Sequence, residues 1–562
     1  MCCFNKKLPV IGIVIALFFS YLFADNSGPR VDAVLVDEVV GPPGWSRNDF
    51  DGINLKINFH HVPTIQETSP GKFVAVWYIS NRGGERDLHI AACYKHGPEW
   101  SMPSVIVPMR AGYNPGLLQP KRDPKANLYL YSRKGITADG FVYESPDEGI
   151  HWRVPPEGKL FKNSSEAGAP QTGLPLPTWQ GNCTQRFLGL IKNPGLELPD
   201  GSIFVGSSTE CKGWRCHIEV APYGNYTGAN TSAGKWSAIM NVGDFIQPSF
   251  LVHSGDYKKL QVTGRALSPK NALVTATSSD GGKTWGGTTR LKNVGEQGHC
   301  SVTLDNGYHV VLGEEPSRRF IYLGISKNGT DLEDVLHLQA KDNPGGAYPV
   351  VIQASDRKVH VVYASYSKNL NAHIRHVVLD PDVLAGKSAE GGPTISDQPK
   401  PTQAALGGKG KFSVTASGSG ELYYQWQRNT GKGLWLNLGR VATLETEAAK
   451  AEMDGWEYRV VVTDDKGSTL SDPAKLTVNS TPIIRTNKFG LRKGISILKI
   501  DGGVRIDFTA TSPGMALYDL HGRKISELAT GNGNSSITIR QPMGMYFLRS
   551  TNGDIRCLLI SP

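Results

Sequence analysis

Side chains that can transfer protons or bind anions stand at or near the ends of short apolar runs in this sequence. Glu210 and Arg265 each close such a run, and His61 stands in one near its start. A carboxylate can act as a general acid or base, a guanidinium binds anions through paired hydrogen bonds, and an imidazole exchanges protons near neutral pH. The alternative for each is a solvated carboxylate, a surface arginine or a structural histidine.

The elements that would position these residues carry a repeated turn motif. Residues 278–285 read S-x-D-x-G-x-T-W, and residues 145–152 keep its Ser, Asp, Gly and Trp with His151 in place of Thr. The glycines permit a tight turn, and the aspartate can accept hydrogen bonds across it, so the motif is a hairpin staple without a catalytic role. Fainter copies end at Trp100 and Trp236, and a degenerate fifth spans 326–330.

Short β runs separated by Gly, Pro, Asn and Asp fill residues 32–385. About 350 residues at roughly 50–60 per repeat would make six blades of a β-propeller, in which each blade is a small sheet. The sequence therefore predicts an all-β fold, a six-bladed propeller followed by two small β-sandwich domains. Representative predicted strands are Lys72–Ile79, Asn127–Tyr131, Ser202–Val205, Ala272–Thr277, Tyr308–Leu312 and Lys358–Tyr363.

Composition agrees with turn-rich β structure, with 64 Gly and 35 Pro in 562 residues. The formal net charge of +9 suits an acidic ligand. No basic block is interleaved with aromatic residues, which argues against nucleic-acid binding.

The first 24 residues are typical of a secretory signal peptide. Lys6 and Lys7 precede an apolar run from Leu8 to Ala24, and cleavage after Ala24 is expected. An uncleaved anchor is the alternative, because the run is long. No other segment is apolar enough to span a bilayer, so the sequence predicts a secreted or cell-surface protein without a membrane span after cleavage.

Eight cysteines occur, two of them in this leader. In an exported protein, Cys211 could pair with Cys216, and Cys183 could pair with Cys300 or Cys93. The spacing matches no zinc site, and no cofactor is expected.

Two further β modules follow the predicted propeller. Residues 391–480 resemble an immunoglobulin-like domain, with Trp426 and Tyr458 as core aromatics in place of the inter-sheet cysteines. Residues 483–562 resemble the C-terminal sorting domain of secreted bacterial proteins, through the segments 515–524 and 544–549. That resemblance implies bacterial secretion machinery as a partner.

With the turn motifs and the blade pattern, residues of about 55–385 resemble the sialidase-like (neuraminidase-like, BNR-repeat) propeller family. The resemblance extends to segments outside the turns, which are His61-Val62-Pro63-Thr64, Asn193-Pro194, Leu198-Pro199-Asp200-Gly201, Ile246-Gln247-Pro248-Ser249, Tyr348-Pro349-Val350-Val351-Ile352-Gln353, 359–363 and 374–377.

The resemblance implies roles for several residues. In this family a tyrosine activated by a glutamate attacks the anomeric carbon, arginines bind the substrate carboxylate, and an acidic residue supplies a proton. Tyr348 would be the nucleophile and Glu210 its partner, with Glu85 or Asp87 as the acid. Candidate substrate-binding residues are Arg265, Arg375, Arg318, the adjacent Arg319, Gln247, His217 and His299, with Trp179 and Trp214 as platforms for a sugar ring.

The first blade departs from the family pattern. Sialidases have an arginine where this chain has His61, so part of the carboxylate clamp is missing and specificity for sialic acid is in doubt. His61 instead offers an acid, a base or a hydrogen-bonding group.

Three functions fit these observations. The first is a secreted glycoside hydrolase that releases a terminal, acidic sugar from a glycan or polysaccharide. The second is a polysaccharide lyase acting at a uronate, with His61 and Tyr348 as base and acid. The third is a glycan-binding propeller without catalysis. Fold alone does not decide among them.

Overall fold

The computed structural model describes residues 26–42, 57, 59–80, 88–107, 113–133, 140–155, 189–210, 213–227, 236–292, 294–339, 345–365, 373–388 and 391–479, and the strands between 483 and 561. The predicted all-β class is confirmed: the described helices are one short α-helix, α1 (Pro381–Leu384), and three single turns of 3₁₀-helix at Val31–Ala33, His253–Gly255 and Ala451–Met453. The chain forms two compact units, one comprising 1–397, 415–442 and 459–471, the other 398–414, 443–458 and 472–562.

Six antiparallel sheets follow one another along the first unit, and the inner strands of most neighbouring sheets pack together as propeller blades. The N-terminal strand is β1 (Val34–Val39). Blade 1 contains β2 (Phe59–Ser69), β3 (Lys72–Ser80), β4 (His89–Lys95) and β5 (Ser104–Val107); blade 2 contains β6 (Tyr113–Leu118), β7 (Leu128–Arg133) and β8 (Gly140–Ser145); blade 3 contains β9 (Leu196–Glu197), β10 (Ile203–Thr209), β11 (Arg215–Ala221) and β12 (Ser237–Gly243).

The remaining three blades have four strands each, and β1 supplies the outer strand of the last one. Blade 4 contains β13 (Phe245–Val252), β14 (Leu260–Ala266), β15 (Leu273–Ser278) and β16 (Thr289–Arg290); blade 5 contains β17 (Glu296–Thr303), β18 (His309–Glu314), β19 (Ile321–Ser326) and β20 (Glu333–Leu338); blade 6 contains β21 (Gly346–Gln353), β22 (Val359–Ser365) and β23 (His373–Leu379).

The N-terminal strand closes the ring by pairing antiparallel with β23, where Val39 lies opposite Arg375. The buried Asp37 carboxylate of β1 accepts hydrogen bonds from the Arg375 guanidinium. This closure covers what would otherwise be an open sheet edge.

The blades bury both of their faces because each sheet packs between two others. In β3 every residue from Phe73 to Ser80 is buried, which agrees with the lack of alternation between polar and apolar residues in this strand. Its Trp77 is fully buried, and the indole Nε1 donates a hydrogen bond to His60 Nδ1 at 3.0 Å. The strongly apolar second strands are therefore the core of the propeller.

The repeated turn motifs form the predicted staples, each after the third strand of its blade. Ser278 Oγ accepts a hydrogen bond from the Gly282 N–H at 2.9 Å, and Asp280 accepts bonds from the Thr284 N–H at 3.0 Å and hydroxyl at 2.6 Å. His151 replaces Thr284 in the blade 2 copy, where its ring Nδ1 lies 2.6 Å from Asp147. In blade 5 the degenerate copy uses the Asn328 side chain in the same way.

A bulge near the start of the inner strand recurs around the ring. The strand pairing shifts register there in blades 1, 2, 4, 5 and 6. A bulge re-aims a side chain and bends its strand, so these positions turn residues toward the axis. Each contains a residue with positive φ, as does the matching position of blade 3; they are Val62 (49°), Asn114 (48°), Lys192 (60°), Gln247 (57°), Gln297 (63°) and Tyr348 (50°).

The suggested disulfides are wrong for the cysteines that the structure describes. Cys93, Cys216 and Cys300 are free thiols, each buried inside a strand of a different blade. A strand interior in the packed core gives no room for a partner from a loop, and burial raises the pKa of all three thiols.

The residues after the propeller also form strands. Parts of the 391–480 module belong to the propeller's unit, where Tyr257 Oη donates to Asn437 O at 2.9 Å and Lys121 Nζ donates to Trp435 O at 3.3 Å. These strands are β24 (Thr394–Asp397), β25 (Thr402–Ala405), β26 (Lys411–Ser413), β27 (Thr415–Ser417), β28 (Tyr423–Asn429), β29 (Trp435–Asn437), β30 (Thr443–Glu445), β31 (Glu457–Thr463), β32 (Ser468–Leu470) and β33 (Ala474–Asn479).

The last strands belong to the second unit and form sheets of five and three strands. They are β34 (Ile483–Thr486), β35 (Ile495–Ile500), β36 (Gly503–Phe508), β37 (Met515–Tyr518), β38 (Lys524–Leu528), β39 (Ser535–Ile539), β40 (Gly544–Ser550) and β41 (Ile555–Ser561). In the part of the chain that the structure describes, no helix has the length and apolar character of a bilayer span. The predicted signal peptide lies outside the described residues.

Candidate active site

One end of the propeller axis gathers the starts of the inner strands and the ends of the second strands, because the two run antiparallel. The register pairs Tyr113 with Arg133, Ile246 with Arg265, and Glu296 with Glu314. We call this the upper end. Ionisable side chains stand at or next to the ends of four successive second strands there, namely Arg133, Glu210, Arg265 and Glu314.

Tyr348 lies at the centre of the upper end, in the bulge of β21. Its hydroxyl accepts a hydrogen bond from Arg265 Nη1 at 3.5 Å, and the Arg318 guanidinium lies 5.6 Å from the centre of its ring. Burial and then the charge of Glu314 raise the pKa of Tyr348, although the two arginines lower it. The phenol is therefore protonated at neutral pH and faces two cations.

Arg265 is held by a neutral partner. Its Nε and Nη2 donate to the Asn271 side-chain oxygen at 3.0 Å and 2.6 Å, and its guanidinium lies 5.1 Å from the centre of the Trp214 ring. Among the described residues no carboxylate forms an ion pair with Arg265. Its charge consequently remains available to an anion beside Tyr348.

The His61 ring also packs against Tyr348. The two rings meet edge to face with centroids 4.5 Å apart, and the His61 ring also contacts Tyr78 at 5.4 Å. Burial and the positive charge of Arg318 hold the pKa of His61 well below its usual range. The imidazole is therefore neutral at pH 7.

Glu314 is a site residue that sequence reasoning missed. Its side chain is fully buried; Oε1 accepts the Tyr348 backbone N–H at 2.8 Å, and Oε2 forms an ion pair with Arg318 Nε at 3.1 Å. Burial raises the pKa of Glu314, opposed chiefly by Arg318. The signal that could have identified it is its position at the end of a second strand, matching Arg265 one blade earlier.

Glu210 meets a different partner from the predicted one. Its Oε1 lies 3.8 Å from Nη2 of Arg133, a second residue that sequence reasoning missed. Arg133 is buried and donates to Ser208 O at 3.2 Å. Both residues lie at the upper end, Glu210 on the blade next to the one that carries Arg265 and Arg133 one blade further along the ring.

Three other predicted residues lie deeper in the same end of the propeller. The Gln247 carbonyl accepts a hydrogen bond from Asn193 Nδ2 at 2.8 Å. His299 is fully buried, and burial and the nearby Lys192 lower its pKa to about 3. His217 is also buried, with Nε2 3.0 Å from Glu219 Oε1. The Asn193–Gln247 contact joins blades 3 and 4, whereas His217 and Glu219 lie on the same strand, β11.

The remaining predicted residues lie elsewhere. Arg375 is buried in β23 with Asp37, and Arg319 is exposed with its guanidinium 3.1 Å from Glu315. Glu85, Asp87 and Trp179 lie outside the described residues. Within the described ranges, no cluster of three or more His, Cys, Asp or Glu side chains is arranged to hold a metal ion.

A cavity of about 200 Å³ lies at the opposite end of the axis from Tyr348. It is lined by the far ends of the inner strands, including Glu67 and Gln353, and by Gln427 and Trp435 of the following module. This cavity is therefore separate from the candidate site around Tyr348.

Comparison with known families assigns the propeller to a family. The model of the BNR repeat-like domain matches residues 71–361 of the 562-residue chain. The chain belongs to the BNR repeat-like domain family. Endoglucanase C of Cellulomonas fimi is 32% identical to it over 124 residues, which cover 22% of this chain and 10% of that protein. The BNR repeat-like chain thus spans only about a tenth of the curated relative that it matches.

The solved structures that resemble this BNR repeat-like protein include a protein of unknown function and a sialidase. A protein of unknown function from Dyadobacter fermentans is 14% identical, with a TM-score of 0.45, covering 62% of this chain and 98% of that one. The K499G mutant of the NanB sialidase from Streptococcus pneumoniae is 12% identical, with a TM-score of 0.41, covering 60% of this chain and 70% of that one.

The upper end of the BNR repeat-like propeller brings together four predicted residues, Tyr348, Arg265, Arg318 and His61. The protonated phenol of Tyr348 contacts both the Arg265 guanidinium and the neutral His61 imidazole. Such a set can bind a carboxylate and transfer a proton or form a covalent bond at the phenol oxygen.

Proposed function

We propose that this protein is a glycoside hydrolase that releases a terminal acidic sugar from a glycan or polysaccharide. The observation that carries the proposal is the 3.5 Å contact between Arg265 Nη1 and the Tyr348 hydroxyl. Arg265 would bind the sugar carboxylate, which sets the anomeric carbon beside the phenol oxygen. The family match and the name of the curated relative, an endoglucanase, support a carbohydrate substrate.

In the proposed reaction the Tyr348 oxygen forms a bond to the anomeric carbon while the glycosidic bond breaks. The phenol proton passes to Glu210, or to His61 whose ring touches Tyr348. Glu85 or Asp87 gives a proton to the departing oxygen, and water then releases the sugar from Tyr348. A neutral nucleophile suits an anionic sugar, because a carboxylate nucleophile would be repelled by the substrate's own charge.

A polysaccharide lyase is the second candidate, and the contact between His61 and Tyr348 favours it. His61 as base would remove the proton beside a uronate carboxylate that Arg265 neutralises. Tyr348 as acid would then protonate the leaving oxygen of the same sugar ring. A glycan-binding propeller without catalysis is the third, since the same cation would hold an acidic sugar.

Mass spectrometry of products from a panel of acidic glycans separates the three. A released sugar carrying one added water indicates the hydrolase, an unsaturated product lighter by one water indicates the lyase, and binding without product indicates the glycan-binding protein. Tyr348→Phe should reduce the rate of product formation at least about a thousandfold. Tyr308→Phe, at the opposite end of blade 5, should leave this rate unchanged. Unchanged turnover in Tyr348→Phe would rule out the catalytic role.

We also propose that the protein is exported and reaches the cell surface or medium. The leader at 1–24 and the C-terminal module at 483–562 support this, the latter acting as an address read by bacterial secretion machinery. Intact-mass measurement of the protein from culture medium tests it, and a chain retained in the cytoplasm with residues 1–24 would contradict it.

A further inference from the structure

Two buried side chains of opposite charge hold the backbone on either side of the Tyr348 α-carbon. Glu314 Oε1 accepts the Tyr348 N–H at 2.8 Å, and Lys192 Nζ donates to the carbonyl of the next residue, Pro349, at 2.7 Å. Neither Glu314 nor Lys192 is exposed. Charged hydrogen-bond partners in a water-free setting make stronger contacts than neutral ones.

Each of these charges also fixes a second element. The Glu314 carboxylate forms an ion pair with Arg318, whose own carbonyl accepts the Gly346 N–H at 2.9 Å. The Lys192 ammonium, which comes from blade 3, donates to His299 O of blade 5 at 2.6 Å. Glu314 and Lys192 thus connect Tyr348 and Arg318 to blades 3, 5 and 6.

The backbone of Tyr348 needs this support. Its φ of 50° lies in the left-handed region, which is costly for any residue with a β-carbon. Gly298 leaves the necessary space, since a β-carbon there would lie 2.2 Å from Glu314 Oε1 and 3.0 Å from the Tyr348 α-carbon. A small relaxation at this point would move the phenol away from Arg265.

We propose that Glu314 and Lys192 are positioning residues that hold Tyr348 in its left-handed conformation against Arg265. The charge of Glu314 has a second effect, since it opposes ionisation of the phenol. The proposal rests on Tyr348 being the reacting group of the proposed function. The ionisable or charged described groups that face Tyr348 are His61, Arg265, Arg318 and Glu314.

Alkaline titration of Tyr348 tests this without any assay of turnover. The ultraviolet difference between the wild-type protein and Tyr348→Phe isolates the ionisation of this one phenol. Glu314→Gln keeps the size and one oxygen acceptor but removes the charge, so Tyr348 should titrate about one pH unit lower. Glu315→Gln, which removes the carboxylate that pairs with Arg319, is the matched control and should leave the titration unchanged. An unchanged titration in Glu314→Gln would overturn the proposal.

Kinetics then test positioning. Gly298→Ala and Lys192→Met should lower kcat at least about tenfold while KM changes less than about threefold, because the phenol is misplaced and Arg265 is not. Gly97→Ala, where an added β-carbon meets nothing within 4 Å, is the control. If the variants lost kcat only in proportion to their loss of thermal stability, and the titration of the Tyr348 phenol did not shift, Glu314 and Lys192 would have a structural role only. If no glycan is turned over, the titration still decides the proposal while the proposed function fails.

Discussion

Three of the described arginines at the upper end, Arg133, Arg265 and Arg318, differ in the charge of their partners. Arg133 lies 3.8 Å from Glu210, and Arg318 lies 3.1 Å from Glu314. Arg265 instead uses two of its nitrogens on the neutral Asn271. A cation without a carboxylate partner attracts a substrate anion without first giving up an existing ion pair. Arg265 is therefore the residue on which selection of an acidic sugar should depend.

Replacing Arg265 should weaken binding of an acidic glycan selectively. We expect Arg265→Met to raise KM about 10- to 100-fold, since a hydrogen bond to a charged group contributes about 1.5–3 kcal/mol and about 1.4 kcal/mol is a factor of ten. Arg265→Lys should recover only part of this, because a lysine cannot bind both oxygens of a carboxylate in one plane. Steady-state kinetics on the acid and on its neutral methyl ester measure the effect.

Arg319→Met serves as the control, because Arg319 is exposed and paired with Glu315. If Arg265→Met affected the acid and its ester equally, a role in binding the substrate carboxylate would be excluded.

Among the elements, the turn motifs and the bulges have separate tasks. The motif of blade 4 begins at Ser278, which pairs with Leu260 at the start of β14, whereas Arg265 pairs with Leu273 at its other end. The staples therefore lie at the lower ends of the blades and the bulges at the upper ends. A staple can be weakened without disturbing the site.

Ser278→Ala removes a buried hydroxyl that accepts the Gly282 N–H and donates to Asp280. We expect a loss of about 1–2 kcal/mol in the free energy of unfolding, the usual cost of an unsatisfied buried hydrogen bond. Denaturant unfolding measures it, with Thr289→Ala in the exposed strand β16 as the control. Product formation should not change, and a large loss of activity would show that staple and site are coupled.

Local patterns predicted these staples well, including the degenerate copy at 326–330, because the Ser, Asp and Asn side-chain hydrogen bonds that close these turns join residues only a few positions apart. The strand ends were predicted less well. The predicted strands ended at Tyr131 and Leu312, whereas β7 and β18 continue to Arg133 and Glu314. A charged residue interrupts the apolar pattern of a strand, so its position is predicted to be a loop. Arg133 and Glu314 were missed for this reason.

Contacts between distant segments were not available from the sequence. The sequence places Glu210 after a strand, but its ion pair with Arg133 joins two blades. The buried position of Cys300 also depends on how blades pack, and the suggested pairing with Cys183 was wrong for this reason. An alignment of the second strands of the blades would have shown that Arg133 and Glu314 occupy positions equivalent to that of Arg265. It would not have shown which of these charges form ion pairs.

Across the whole molecule, several histidines are buried in their neutral form. Burial lowers the pKa of His299 and His309 to about 3 and that of His376 to about 4, and it holds His61 well below its usual range. His376 contacts the Glu38 carboxylate of the N-terminal strand at 2.8 Å. Proton uptake by these groups thus opposes the folded state in several blades at once.

The protein should lose stability as the pH falls below about 6.5. Between the ordinary histidine pKa and the lowered values, the unfolded chain binds protons that the folded chain does not, so each such histidine costs up to about 1.4 kcal/mol per pH unit. Below about 4.5 the carboxylate of Glu38, whose pKa is lowered to about 2 by His376 and Lys95 despite burial, adds a further loss. Urea unfolding between pH 7.5 and 4.5 measures the slope.

His309→Gln should make that slope shallower, because it removes one of the contributing groups while leaving a side chain that can hydrogen-bond Thr303. A stability that is constant or rises from pH 7 to pH 4.5 would contradict this assignment.

The N-terminal strand has a consequence for how the protein is made. Asp37 and Arg375, which join the first and last strands of the ring, are 338 residues apart. At about 5–20 residues per second, a ribosome needs tens of seconds to synthesise the second after the first. Through that interval the nascent chain carries an unpaired strand at its leading end, which a chaperone or a translocation channel could hold. The ring can close only after blade 6 has emerged, so resistance to proteases should arise late and all at once.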